Sequence, residues 1–155
     1  MQQQSFTPQQ ALQKIKHYCA YQERCHSEVK DKLYSFGLHK NEVEQIISTL
    51  IEDNYLNEER FAIQFAGGHF RTKNWGRVKI RYELKQKQVS EYGIRKALQQ
   101  IDEGEYFKTL EKLYSGKLES LKSEKNIFIK KRKLQQYLQQ KGFELDLIKE
   151  INSRL

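Results

Sequence analysis

One apolar pattern occurs three times in this 155-residue chain, and it constrains the fold more than any other feature. The three copies are anchored on Leu33, Leu84 and Leu138, which lie 51 and then 54 residues apart. Agreement at many further offsets predicts three tandem repeats of one design. In the order first, second and third repeat, the matching residues are Val29, Ile80 and Leu134; Leu38, Val89 and Phe143; Val43, Ile94 and Ile148; Ile46, Ala97 and Ile151; Leu50, Ile101 and Leu155.

The spacing inside each repeat is helical. Apolar residues recur three or four positions apart, as they do on one face of an α-helix. Thr7, Asn57, Ser90 and Asp102 can each cap the start of such a helix, and Gly37 stands where one would end. The chain has a single proline and no alternating run rich in Val, Ile and Thr, so the predicted fold class is all-α.

We predict three tandem three-helix repeats, each resembling a helix-turn-helix unit, over residues 1–56, 57–101 and 102–155. Segments of about 50 residues bury little surface alone, so neighbouring repeats should share apolar seams. Three such repeats in a row would make an elongated body. A single nine-helix globule is the alternative.

Positive charge is concentrated in two blocks of the sequence. The 28 Lys and Arg residues exceed the 20 Asp and Glu residues, which gives a net charge of +8 and favours a polyanionic or acidic partner. Residues 1–66 hold seven basic and nine acidic residues, so the excess lies further along the chain. The first block contains Arg71, Lys73, Arg77, Lys79, Arg81, Lys85 and Lys87, and the second includes Lys130, Lys131, Arg132 and Lys133.

Three residues of the first block, Arg77, Arg81 and Lys85, are spaced four apart and should form a basic ridge on one helix. The other two repeats have no such ridge, so it is expected to be dispensable for folding. Like charges four apart destabilise a helix by roughly 0.2–0.5 kcal/mol per pair, which favours a binding role over a solvated face. Trp75, on a predicted turn between basic residues, either contacts a base or a protein pocket or fastens the turn to its own bundle.

No residue pattern points to catalysis, a metal or a cofactor. Gly67-Gly68 lacks the Lys-Ser/Thr pair of a phosphate-binding loop, and neither Cys19 nor Cys25 has an identifiable base. Two cysteines without an apparent disulfide suit a reducing compartment. The sequence shows no signal-peptide pattern at its start and no apolar run long enough for a membrane span. We therefore expect a cytoplasmic protein that is not an enzyme and has no membrane partner.

The segment from Tyr55 to Ala62, with the sequence YLNEERFA, resembles the signature of the RecX family of bacterial recombination regulators. The resemblance covers nearly the whole chain, and it is strongest in the second repeat. In that family the signature is followed by a basic stretch, a glycine and an Ile…Glu-Leu…Lys-Gly pattern. Here those elements are Arg71, Lys73, Gly76, Ile80, Glu83-Leu84 and Lys87-Gln88.

The sequence departs from the family pattern at two places. Gln88 replaces the expected glycine, so the helix before it is expected to end differently. Gly67-Gly68-His69 is unusual inside a helix and is expected to break, loosen or kink it. Neither departure changes the basic ridge.

The resemblance implies a cytosolic modulator of the RecA recombinase with a curved, helical-repeat body. Such a protein binds the RecA–DNA filament in its helical groove and typically suppresses ATP hydrolysis and strand exchange. We expect a monomer whose contacts include single- or double-stranded DNA, bound without sequence preference. The predicted contact residues are Arg71, Lys73, Trp75, Arg77, Lys79, Arg81, Lys85 and Lys87, with secondary contacts at Lys130, Lys131, Arg132 and Lys133. The alternatives are a DNA-binding protein that acts without RecA and a helical scaffold for another acidic protein.

Overall fold

A computed structural model describes residues 5–155, and this part of the chain contains nine α-helices and no strand. The all-α fold class is therefore confirmed. The helices are α1 (Pro8–Tyr21), α2 (His26–Ser35), α3 (Lys40–Glu52), α4 (Glu58–Lys73), α5 (Arg77–Gln86), α6 (Glu91–Gln99), α7 (Glu103–Ser120), α8 (Ile127–Lys141) and α9 (Leu145–Asn152).

The residues shared by the three repeats form the core. All of them are buried except Leu155, and the anchors Leu33, Leu84 and Leu138 are fully inaccessible to solvent. Burial of a Leu, Ile or Val side chain contributes about 1.5–3 kcal/mol each, so this pattern supplies much of the driving force for folding.

The predicted helix caps all form. In each case a side-chain oxygen accepts a hydrogen bond from a backbone N–H that the first turn of the helix leaves without a partner. The pairs are Thr7 with Gln10 at 3.2 Å, Asn57 with Arg60 at 2.8 Å, Ser90 with Gly93 at 3.1 Å and Asp102 with Glu105 at 2.9 Å.

The second helix of the middle repeat ends as its counterparts do, so the expectation of a different end at Gln88 was wrong. Gln88 has a φ of 63°, in the left-handed region, and the equivalent residues Gly37 and Gly142 have φ values of 85° and 95°. The following residue, Val89, donates its N–H to the carbonyl of Leu84 at 3.1 Å. The shared turn geometry is thus retained although a side chain makes it less favourable.

Helix α4 runs through Gly67 and Gly68 without interruption, so the predicted break at this point was wrong. The buried residues Phe61, Ala62 and Phe70 on the same helix hold it against the core. Their burial outweighs the cost of glycine in a helix, which is about 1 kcal/mol per residue.

Contacts divide the chain into two compact units. The first comprises residues up to Gln64 together with Leu84–Lys96, and the second comprises Phe65–Glu83 together with Ala97–Leu155. Helices α4, α5 and α6 of the middle repeat each contribute residues to both. The division into repeats at 1–56, 57–101 and 102–155 stays a prediction.

In the first compact unit, the signature segment has a structural role. Glu58 accepts hydrogen bonds from the backbone N–H of Ser90 at 2.8 Å and from its hydroxyl at 2.9 Å, so it fixes the start of α6. Arg60 binds Glu23 at 2.5 Å, and its other nitrogens donate to the side chain and the carbonyl of Asn54. These polar contacts join α4 to the segments around it.

We predict that Gln88→Gly stabilises the protein by about 0.5–1 kcal/mol, because glycine adopts a positive φ without steric cost. The midpoint of urea unfolding measures the change. The matched control is Gln136→Gly in the middle of α8, where the same exchange should cost about 1 kcal/mol. Equal destabilisation by both changes would contradict the left-handed geometry at Gln88.

Candidate basic interaction surface

The first basic block follows the end of α4, the turn after it and α5. Arg71 and Lys73 lie in the last turn of α4, where cations interact favourably with the helix dipole. The side chains of both are exposed. Trp75 lies on the turn, and the remaining members of the block are Arg77, Lys79, Arg81 and Lys85 on α5 and Lys87 just beyond it.

Arg77 is not a free member of the basic ridge. Its Nη1 lies 2.8 Å from Glu144 Oε2, its Nη2 lies 3.7 Å from Glu103 Oε1, and 22% of its side chain is exposed. The guanidinium also covers the ring of Tyr106, with its central carbon 3.8 Å from the ring centroid. The basic ridge was expected to be dispensable for folding. Arg77 departs from this expectation, because its contacts join α5 to α7 and to the start of α9.

Tyr106 lies at the centre of this network and is fully buried. Its hydroxyl donates a hydrogen bond to Glu144 and accepts one from the backbone N–H of Arg77 at 3.0 Å. Burial, followed by the bond to Glu144, raises the pKa of Tyr106 far above its ordinary value, so the phenol stays protonated. The rings of Phe70 and Phe143 lie 5.8 and 5.1 Å from its ring.

Neither Tyr106 nor Glu144 was singled out from the sequence. The signal for Tyr106 was its spacing, because Tyr106, Leu110 and Tyr114 recur four apart and all three are buried. Glu144 looks like an ordinary acidic residue before a short helix. Only the folded chain shows that its carboxylate meets Arg77.

The turn before α5 is held by a close backbone approach. Gly76 donates its N–H to the carbonyl of Lys141 at 2.7 Å, and Val78 donates to the carbonyl of Gly142 at 2.9 Å. A Cβ atom on Gly76 would overlap the backbone of Gly142, so only glycine fits. This contact positions the turn before α5.

Trp75 packs against its own helix bundle, which was one of the two roles considered for it from the sequence. Its ring stacks on His69 with centroids 4.4 Å apart and meets the ring of Phe65 edge-on at 6.3 Å. The amino groups of Lys73 and Lys79 lie 5.3 and 4.7 Å from the Trp75 ring centroid. The half-buried indole thus holds two cations at the surface through cation–π attraction.

The other cations of the first block differ in whether a carboxylate of the protein pairs with them. Lys85 and Lys87 lie 3.9 Å from Glu91 and Glu28, respectively. Within residues 5–155, by contrast, no carboxylate pairs with Arg71, Lys73 or Lys79. These three cations, which belong to the second compact unit, can interact most readily with a partner.

Two exposed apolar residues on α5 were missed from the sequence. Val78 and Tyr82 are four apart, and 52% and 60% of their surfaces are exposed. Their spacing places them on one face of the helix, next to Arg81. Neither residue belongs to the repeated apolar pattern, so no signal in the sequence marked them as an exposed pair.

The second block occupies the first two turns of α8. Arg132 and Lys133 are exposed, and Lys130 and Lys131 are half-buried. Just before them, Phe128 exposes 85% of its surface. In the described part of the chain, none of these four cations has an ion-pair partner.

Between positions 5 and 155, no group of three or more His, Cys, Asp and Glu side chains is placed to hold a metal ion. No helix in the same range is both long and apolar enough to cross a membrane.

Two family models match the chain. The model described as "RecX, second three-helix domain" matches residues 57–98, and "RecX, third three-helix domain" matches residues 103–151. The matched segments together make up more than half of the sequence, and they contain both basic blocks.

Several curated relatives bear the name "Regulatory protein RecX". The protein from Clostridium perfringens (strain 13 / Type A) is 33% identical over 83% of this chain and 60% of its own length. Those from Oceanobacillus iheyensis and Streptococcus uberis are 30% and 27% identical over 85% and 90% of this chain, and over 48% and 53% of their own lengths. The chain thus spans about half the length of the curated relatives it matches.

Solved structures show the same fold. The crystal structure of RecX from Lactobacillus salivarius superposes on this chain with a TM-score of 0.85 at 26% sequence identity. The match covers 96% of each of the two chains. A second structure, of a regulatory protein RecX, gives a TM-score of 0.84 at 24% identity over 96% of this chain and 72% of the other.

We predict that Arg77→Gln destabilises the protein by about 1–3 kcal/mol, because it leaves Glu144 half-buried without its cation. The free energy of unfolding from urea titrations measures this effect. The control is Lys85→Gln, which removes the same charge from an exposed ion pair and should change stability by less than about 0.5 kcal/mol.

A double-mutant cycle with Glu144→Gln tests the assignment further. If the two side chains stabilise each other, the double variant should lose less than the sum of the single losses. Additive losses would show that the Arg77–Glu144 contact contributes nothing of its own.

Proposed function

The chain belongs to the RecX family, and we propose that it regulates the RecA recombinase by binding the RecA–DNA filament. In this proposal it acts as an inhibitor of RecA ATP hydrolysis and strand exchange, in the cytoplasm and as a monomer. The match of residues 57–98 and 103–151 to RecX three-helix domains carries the proposal.

We choose the contact residues by asking which cations have no carboxylate partner within the protein. We assign the primary contacts to Arg71, Lys73 and Lys79, which have no carboxylate partner in the described part of the chain. The amino groups of Lys73 and Lys79 also lie over the Trp75 ring. Further contacts come from Arg81, Lys85 and Lys87 and, secondarily, from Lys130, Lys131, Arg132 and Lys133. Arg77 is proposed as a positioning residue because its guanidinium is engaged by Glu144.

The mechanism we propose is steric and electrostatic, with no chemical step. Cations attract the protein to a filament whose axis is a polyanion, and this attraction speeds encounter more than it adds affinity. Exposed aromatic and apolar residues such as Tyr82 then provide desolvated contacts with the filament proteins. A helical body held in the groove would hinder the subunit addition and rearrangement that filament growth requires.

A DNA-binding protein that acts without RecA is the second candidate, since both blocks contain unpaired cations. Seven phosphate contacts would make the logarithm of the affinity for naked DNA fall with the logarithm of salt concentration, with a slope of about −5 to −6. Salt-insensitive binding would exclude this candidate as the main function.

We predict that the protein lowers the rate of RecA ATP hydrolysis on single-stranded DNA. The triple variant Arg71→Gln, Lys73→Gln, Lys79→Gln should need about tenfold more protein for the same effect, because each exposed contact contributes roughly 0.5 kcal/mol. The matched control is Lys40→Gln, Lys108→Gln, Lys149→Gln, which removes three exposed charges outside both blocks. It should inhibit like the unmodified protein.

Two outcomes would count against the proposal. An unchanged hydrolysis rate at a large excess of protein would exclude regulation of RecA by this route. Equal weakening by both triple variants would show that net charge, and not the surface around Trp75, determines binding. Thermal unfolding of each variant is measured alongside to confirm that all are folded.

A further inference from the structure

A surface pocket of 540 Å³ in the first compact unit is lined by cations and aromatic rings. Up to residue 66 the chain has more acidic than basic residues, nine against seven. Three of those seven cations line this pocket, and none of the nine carboxylates does. Its lining residues are Lys14, His17, Tyr18 and Tyr21 from α1, Arg24 from the loop after it, and Lys32 and Phe36 from the end of α2.

The pocket arises from the helical spacing of α1. Lys14, Tyr18 and Tyr21 follow one another at intervals of four and three, so they share a face of this helix. That face flanks the buried stripe that contains Ile15 and Cys19. The packing of α1 on α2 therefore brings Lys32 to the same side.

The cations around the pocket are held by aromatic rings. The Arg24 guanidinium lies 3.8 Å from the Tyr18 ring centroid, and Arg24 also donates from Nε to the Tyr18 carbonyl at 3.1 Å. Lys32 Nζ lies 5.6 Å from the centroid of Tyr18, and Lys14 Nζ lies 4.8 Å from that of Phe6. An aromatic ring is neutral and leaves the positive charge of its cation uncompensated, so these charges remain attractive to an anion.

Charge compensation at the pocket is limited to one of the three cations. Arg24 approaches one acid, Glu28, at 3.9 Å. Within residues 5–155, neither Lys14 nor Lys32 has an ion-pair partner. Beside them, 83% of the surface of Tyr21 is exposed, which leaves its ring accessible for stacking.

We infer that this pocket binds a nucleotide, with the phosphate between Lys14, Lys32 and Arg24 and the base stacked on Tyr21. Arginine and lysine are the usual partners of phosphate, and an aromatic face accepts any base. The volume lies in the range of pockets that hold small molecules. The nucleotide is either free or one unit of a single-stranded nucleic acid, and both sources offer the same base and phosphate.

This site is separate from both basic blocks and does not depend on the proposed regulation of RecA. No residue of either block lines the pocket. Substitutions in the pocket therefore leave the surface around Trp75 unchanged, and the two proposals can fail independently.

The test is calorimetric titration of the full chain with deoxyadenosine monophosphate, with ADP, with inorganic pyrophosphate and with a short oligothymidylate. Lys14→Gln, Lys32→Gln and Tyr21→Ala should each weaken nucleotide binding about tenfold, as expected for one charge-assisted hydrogen bond or one stacked base. The matched controls Lys30→Gln and Tyr92→Ala change an exposed lysine and an exposed tyrosine of the same unit away from the pocket, and should bind within about twofold of the unmodified protein.

Comparing these ligands shows whether the pocket binds a free nucleotide or one unit of a single-stranded nucleic acid. Saturable binding of the mononucleotide or ADP identifies a free nucleotide as the ligand. Binding of the oligomer alone, weakened by Tyr21→Ala, identifies a single-stranded nucleic acid. Either result supports the inference.

Three results would overturn it. Pyrophosphate that binds as tightly as ADP, with no effect of Tyr21→Ala, would reduce the pocket to a general anion site. Stronger competition by a short polyglutamate peptide than by nucleotide would identify a site for acidic peptides. Failure of every ligand to bind, or equal weakening by the controls, would leave no nucleotide site.

Discussion

The contact of Arg77 with Glu144 organises the second compact unit, because it lies where several helices meet. The carboxylate receives the guanidinium at 2.8 Å and the Tyr106 hydroxyl, and the phenol in turn accepts the first backbone N–H of α5. Close by, Gly76 comes so near to Gly142 that no side chain fits. These polar contacts and this backbone approach together fix the start of α5.

Because of the contact with Glu144, Arg77 has a different role from other cations that look equivalent to it in the sequence. Arg77, Arg81 and Lys85 are equally spaced cations, yet the first is engaged by two carboxylates and a ring. Removing it would disturb the bundle as well as any partner contact, so loss of function in an Arg77 variant says little about binding. Lys73 and Lys79, whose amino groups lie over the ring of Trp75, have no carboxylate partner in the described part of the chain. Substitutions there report on the surface more directly.

The sequence predicts the helices and the core well, because both follow from local spacing and from caps that need only neighbouring residues. It failed at Gly67 and Gly68, where the burial of Phe61 and Phe70 overrides the low helix propensity of glycine. It also failed at Gln88, where the repeat geometry requires a positive φ whatever the side chain. The partnership of Arg77 with Glu144 joins residues 67 positions apart, and no periodic pattern encodes such a pair.

The residues that make the family recognisable are those that build the bundle. Glu58 fixes the start of α6, Arg60 binds Glu23, and Gly76 permits the approach to α8. Function therefore has to be sought in outward-facing residues, where the repeat imposes no identity. Tyr21 at the cationic pocket is such a residue, since 83% of its surface is exposed. Lys79 is half-buried, and its amino group lies over the Trp75 ring. If the surface around Trp75 contacts a filament and the pocket holds a nucleotide, one fold presents two separate surfaces of cations and aromatic rings without changing its core.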